Sequence, residues 1–143
     1  MTDADSKVWS EQGSVDLEKV RECFKADRFA TDQCMAEVDE ALRGHAVCSC
    51  DITPLHRNNM GAVMGGAIFT LADFASAVAS NTGQPPAVSV SCTIEFVAVA
   101  KGTRLIATCD ADRIGRRLSF YTTRVRDNLG TLVAIVASTL SRA

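Results

Sequence analysis

The second half of the chain alternates apolar and polar residues with little interruption. From Val88 to Phe96, the residues Val88, Val90, Cys92, Ile94 and Phe96 alternate with Ser89, Ser91, Thr93 and Glu95. A period of two predicts a half-buried strand with its apolar set on the core side. Residues 103–111 repeat the pattern with Leu105, Ala107, Cys109 and Ala111, and residues 118–126 continue it after a turn at Gly115. Asp127-Asn128-Leu129-Gly130 reads as a hairpin connection. Residues 131–140 are apolar on both faces, which predicts an interior strand.

The first half changes period. Val15, Leu17, Val20, Phe24 and Phe29 fall among charges, which predicts an amphipathic helix over 15–29. Two strands are expected at 34–38 and 46–52, with a turn at Leu42-Arg43-Gly44 and a loop over 53–64. Residues 65–79 then form a helix that is apolar nearly all round and should be buried. Asn81, Gly83, Pro85 and Pro86 stop it.

One apolar helix and about six strands in this order predict an α+β fold, in which an antiparallel sheet of five or six strands curls around the buried helix. The N-terminal helix is an addition to that core. The chain has 143 residues, the size of one domain, expected over 15–143 behind a polar, flexible tail at 1–14 that holds Trp9. A net charge of -2 offers no general attraction to nucleic acid or an anionic membrane. No signal peptide or membrane span is read, so a cytoplasmic location is expected. The six cysteines include no C-x-x-C pair, and only His45 and His56 accompany them, so they read as reduced core residues with no metal role.

The chemistry concentrates in the apolar helix. Asp73 is its one carboxylate, and no basic residue lies between Gly65 and Gly83. Burying an unpaired carboxylate is costly, and such a cost often marks a functional site. Gly65-Gly66 opens the same helix, where free backbone N–H groups and small residues suit a carbonyl oxygen or an anion. Eight residues separate Gly65 from Asp73, roughly 12 Å along a helix. One small carbonyl carbon cannot easily meet both groups of one helix. Two antiparallel helices across a two-fold axis would bring Gly65 of one subunit to Asp73 of the other, which predicts a homodimer with composite sites.

The run His56-Arg57-Asn58-Asn59-Met60-Gly61-Ala62-Val63-Met64-Gly65-Gly66, followed by Leu71-Ala72-Asp73, resembles the hotdog thioesterases of the PaaI type. The strand residues 86–96 and the Gly115-Arg116-Arg117 turn extend the likeness over about residues 25–142. The resemblance implies a hotdog fold and hydrolysis of acyl-coenzyme A to a free acid and coenzyme A, with no cofactor. It implies that Asp73 is the nucleophile or the general base. The Gly65 N–H would polarise the carbonyl, Asn58 would position water or substrate from the partner, and Ser89 would assist Asp73. Gly66 and Met64 would touch substrate, although Met64 stands where many relatives carry His. A homotetramer of two dimers is common in that family.

Arg113, Arg116 and Arg117 surround one turn and are the candidate grip on the phosphates of coenzyme A. Phe69, Phe74 and Met64 are candidates for the acyl pocket. His56 lacks a local carboxylate partner and reads as a loop histidine. Besides the thioesterase reading stand a dehydratase, which the lone Asp73 disfavours, and a non-catalytic acyl-CoA-binding protein.

Overall fold

The computed structural model describes residues 15–142; the expected tail, with Trp9, lies outside them. Helix α1 (Leu17–Phe24) leads through one wide π-helical turn (Phe29–Gln33) to strand β1 (Glu37–Leu42) and its hairpin partner β2 (His45–Asp51). Helix α2 (Gly65–Asn81) follows, then β3 (Ala87–Phe96), β4 (Arg104–Ile114), β5 (Leu118–Asp127) and β6 (Leu132–Arg142). All neighbouring strands are antiparallel, in the order β1-β2-β4-β5-β6-β3. This is the expected α+β architecture, a six-stranded sheet with α2 against one face.

The first helix is shorter than its periodicity predicts. Asp16 caps it, its Oδ1 accepting the N–H groups of Glu18 (3.1 Å) and Lys19 (3.4 Å). Val20 and Phe24 are buried. The chain then rewinds: Cys34 N–H reaches Phe29 O, Met35 takes φ 54°, and Ala36 N–H reaches Ala30 O at 2.8 Å. Residues 34–36 are therefore spent on the turn, and β1 begins at Glu37, later than the predicted 34–38. The next turn needs its glycine. Gly44 has φ +79°, and its N–H bonds the Ala79 carbonyl near the end of α2.

Leu71, Ala72, Ala75, Val78 and Ala79 of α2 are fully buried against the sheet. Each large apolar side chain among them contributes about 1.5–3 kcal/mol by leaving water. Asn81 ends the helix by donating to Ala77 O (2.9 Å) and accepting Ala87 N–H (2.8 Å), which ties α2 to the start of β3. Below that end lies Arg142, buried, donating to Ser80 O (2.9 Å), Gln84 Oε1 (2.8 Å) and the Ser119 hydroxyl. A cation at a helix C-terminus is favoured by the helix dipole. At the far end of the sheet, the Asp127 carboxylate accepts the N–H groups of Lys101, Gly102, Leu129 and Thr131, clamping two loops together. Burial works to raise its pKa, and those four donors outweigh it and hold it well below the usual range.

The predicted faces of β4 and the interior place of β6 hold, but β3 departs from its pattern. Val88, Val90 and Phe96 are 69%, 62% and 55% exposed, not core-facing. Two causes are visible. β3 is an edge strand, bonded only to β6, and its register shifts between Ser89 and Ser91. No helix among the described residues is long and apolar enough to cross a membrane.

Candidate active site

Helix α2 is not buried all round. The side carrying Phe69, Thr70, Asp73 and Ala77 opens onto a cleft of about 370 Å³, whose opposite wall is Asp27 to Ala30 of the segment after α1. Asp73 is half-buried there, and the nearby Ser89 hydroxyl acts to lower its pKa. Strict alternation would have turned Ser89 away from α2. The irregular register at the start of β3, anchored by Asn81, lets it reach.

The second candidate group is the start of α2. Met64 is the N-cap but offers no side-chain cap, and its own side chain is 57% exposed. The N–H groups of Gly65 and Gly66 meet no acceptor among the described residues. They face outward at the positive end of the helix dipole. Gly65 is constrained: a Cβ there would lie 2.9 Å from the Phe96 ring, whereas one at Gly66 would meet nothing. Gly65 and Asp73 remain two helical turns apart, so one chain does not bring them onto one carbonyl.

The loop before α2 is self-supporting. Asn58 Oδ1 accepts the N–H groups of Met60 (3.0 Å) and Ala62 (3.1 Å). Its side chain is exposed and outside the Asp73 cleft of its own chain, and its amide NH2 has no partner among the described residues. His56 is buried; Nδ1 accepts Thr53 N–H (3.0 Å), so Nε2–H donates to Cys34 O (3.1 Å). Both ring nitrogens are used structurally, in keeping with the loop-histidine reading.

Arg113, Arg116 and Arg117 are exposed and form no ion pair among the described residues. Gly115 permits their turn, because a Cβ there would lie 2.4 Å from Leu118 O. Arg117 O accepts Arg142 N–H, so the turn sits near the C-terminal end of α2, not at Gly65. Buried Cys50 and Cys109 have thiol pKa values pushed up by burial to about 11 and about 12, and none of the six cysteines is bonded to another. Cys48, Cys50 and Cys109 are buried core residues, and burial keeps their thiols protonated. No cluster of metal-ligating side chains occurs among the described residues.

Sequence reading missed Asp27. Its carboxylate stands at the rim of the Asp73 cleft and has no ion pair among the described residues, while Arg28 beside it is taken by Asp32 at 2.6 Å. The reading placed Asp27 within a continuous helix, where it was one charge among many. Only the break after Phe24 turns it toward α2. Burial raises the Asp73 pKa most, the Asp27 charge raises it further, and the Ser89 hydroxyl opposes both. Asp27 is itself raised by burial.

A curled antiparallel sheet around one central helix is the hotdog fold, and the comparisons place this chain among its thioester hydrolases. The chain belongs to the thioesterase superfamily, whose family model matches residues 60–134. A mutant of phenylacetic acid degradation protein PaaI from Thermus thermophilus is 30% identical, with a TM-score of 0.76 over 82% of this chain and 100% of that one. Zebrafish thioesterase superfamily member 2 is 29% identical, with a TM-score of 0.79 over 91% of this chain and 100% of that one. A hypothetical thioesterase from Streptococcus pneumoniae, solved with coenzyme A, shares the fold at 20% identity and a TM-score of 0.75, covering 84% of this chain and 99% of that one.

The shared cleft gives a pH prediction. Asp27→Asn removes a like charge and lowers the pKa of Asp73, so Asp73 stays ionised to lower pH. A 13C titration of the Asp73 carboxyl in both proteins reads this directly. Because Asp27 is at the rim, added salt should shift the wild type in the same direction. An unmoved titration would remove the coupling.

Proposed function

We propose that the chain hydrolyses acyl-CoA thioesters to a carboxylic acid and coenzyme A. The observation carrying this reading is Asp73, a half-buried carboxylate of raised pKa on the open side of an otherwise uncharged helix. A base raised toward neutrality takes a proton better while remaining ionised. Asp73 accepts a proton from water as the water oxygen bonds the thioester carbon. The C–S bond then breaks, and the sulfur leaves as thiolate. Alternatively, an Asp73 oxygen attacks first and the C–S bond breaks, releasing thiolate and leaving an anhydride that water cleaves to the acid and the Asp73 carboxylate. In either course the Gly65 N–H stabilises the developing oxyanion. Ser89 orients the carboxylate, and the free Asn58 amide contacts the substrate or water. Gly66 and Met64 border the thioester.

The two-turn separation of Gly65 and Asp73 supports a homodimer with sites formed across the two-fold axis. The bare apolar residues on edge strand β3 support the same assembly, since a large exposed apolar patch marks an interface. Pairing of dimers into a homotetramer fits the family resemblance. The unpaired arginines at 113, 116 and 117 take the phosphates of the nucleotide end. Across an antiparallel helix pair, an arginine turn near the end of one α2 faces the start of the other.

A second reading, acyl-CoA binding without hydrolysis, is favoured by one feature, the exposed Met64 in place of the family's usual His.

Three outcomes are expected. In a panel of acyl-CoA thioesters, CoA release should fall at least about 100-fold in both Asp73→Asn and Asp73→Ala. A wild type that binds the panel but releases no CoA would hand the lead to the second reading. Arg116→Ala with Arg117→Ala should raise KM several-fold and leave kcat nearly unchanged; an unaltered KM would clear the turn of phosphate binding. Val88→Lys with Val90→Lys should yield a folded monomer by sedimentation that has lost most turnover. A fully active monomer would eliminate the composite site.

A further inference from the structure

Phe74, the neighbour of Asp73, is only 3% exposed, yet it borders two hollows. One is the Asp73 cleft. The other, of about 330 Å³, lies between α1, the π-helical turn and β1, with Phe24, Ala36, Val38 and Phe74 as its apolar walls. The Phe24 ring packs edge-on against Phe74, with centroids 5.8 Å apart at 87°.

Charged residues ring the second hollow, but each is already engaged. Arg21 binds Glu18 and the Val38 carbonyl, and Lys25 binds Glu22 at 2.7 Å. Glu37 pairs with Arg104 at 3.1 Å, and Asp39 accepts from Ser49. Arg21, Lys25 and Glu37 are paired and Asp39 is held by a hydroxyl, so below this rim the buried walls Phe24, Ala36, Val38 and Phe74 suit hydrocarbon. Nothing in the thioesterase chemistry uses it, and its one shared wall with the reacting cleft is an aromatic ring.

We infer that this second hollow is a distal subsite for the tail of an aliphatic acyl chain, with Phe74 as the partition between it and the Asp73 cleft and Phe24 as the brace holding that partition. The inference rests on the acyl-CoA reading and adds to it a length limit. Short chains end in the cleft against Phe74. Longer chains displace the ring and continue between α1 and β1. Each methylene buried beyond the partition tightens binding about fourfold. Most of the hollow is built by residues 21–39, ahead of the glycine–aspartate motif, and Phe74 of α2 completes it.

The test uses the full-length protein and saturated acyl-CoA thioesters from butanoyl to hexadecanoyl, read as the ratio of kcat/KM for long to short chains. Phe24→Leu loosens the brace and should raise that ratio several-fold, moving the optimum about two or more carbons longer. Val38→Phe fills the hollow and should lower the ratio. The two variants push in opposite directions, so a general loss of stability cannot imitate both. Calorimetric affinities for the saturated fatty acids from hexanoate to hexadecanoate should show the same shifts without any turnover. Length profiles unchanged in both variants, by turnover and by binding, overturn the subsite. If Asp73→Asn abolishes turnover while those profiles stay flat, the subsite alone falls. If no thioester is hydrolysed but the fatty-acid profiles shift, the hydrolase reading falls and the subsite stands.

Discussion

The apolar side of α2 must be kept from water, and the surrounding elements are arranged to do that. Leu71, Ala72, Ala75, Val78 and Ala79 are fully buried because β2, β4, β5 and β6 curve past them. Small residues at 72, 75 and 79 let the sheet approach closely. The helix is fastened at its C-terminal end by Gly44 N–H, Arg142 and Asn81, three groups from different parts of the chain that meet its last carbonyls. Its N-terminal end is left with open N–H groups. A helix tied at one end and chemically free at the other presents those donors in a fixed direction, which is what an oxyanion site requires.

Burying one side of α2 also decides which of its side chains stay accessible. Asp73 falls on the side that the sheet does not cover, and a carboxylate tolerates partial burial there because the Ser89 hydroxyl favours its charged form and solvent still reaches the cleft. The wall opposite is supplied by the segment after α1, which carries the Asp27 rim and, at the start of its π-helical turn, Phe29. That segment therefore shapes both the electrostatics at Asp73 and, through Phe24, the packing behind Phe74. The N-terminal addition to the hotdog core thus borders the Asp73 cleft.

Edge strand β3 is where stability and assembly meet. Its inner side is secured by β6, and its start by Asn81, yet Val88 and Val90 face water in the single chain. An isolated domain gains nothing from them there. A two-fold partner would give them a use and would also place a second α2 beside the first.

Much of this was legible in the order of residues. The length and apolar character of α2, its Gly-Gly start and Pro-Pro finish, the lone Asp73 and the four C-terminal strands are local patterns, and backbone periodicity reports them faithfully. His56 could be set aside because no acid stood near it, and its two structural hydrogen bonds agree. What eluded sequence reading was set by neighbours distant along the chain. Alternation says that β3 has two unlike faces but not which neighbour covers either, so Val88 and Val90 were assigned inward. A one-residue register shift, invisible to a period of two, brings Ser89 to Asp73. The helix over 15–29 stops at Phe24 because tertiary packing rewinds the chain, and that break alone puts Asp27 in the cleft. Periodicity records how each segment divides its own surface. Which of those surfaces meet is decided only when the sheet closes around the helix and competing contacts are satisfied together.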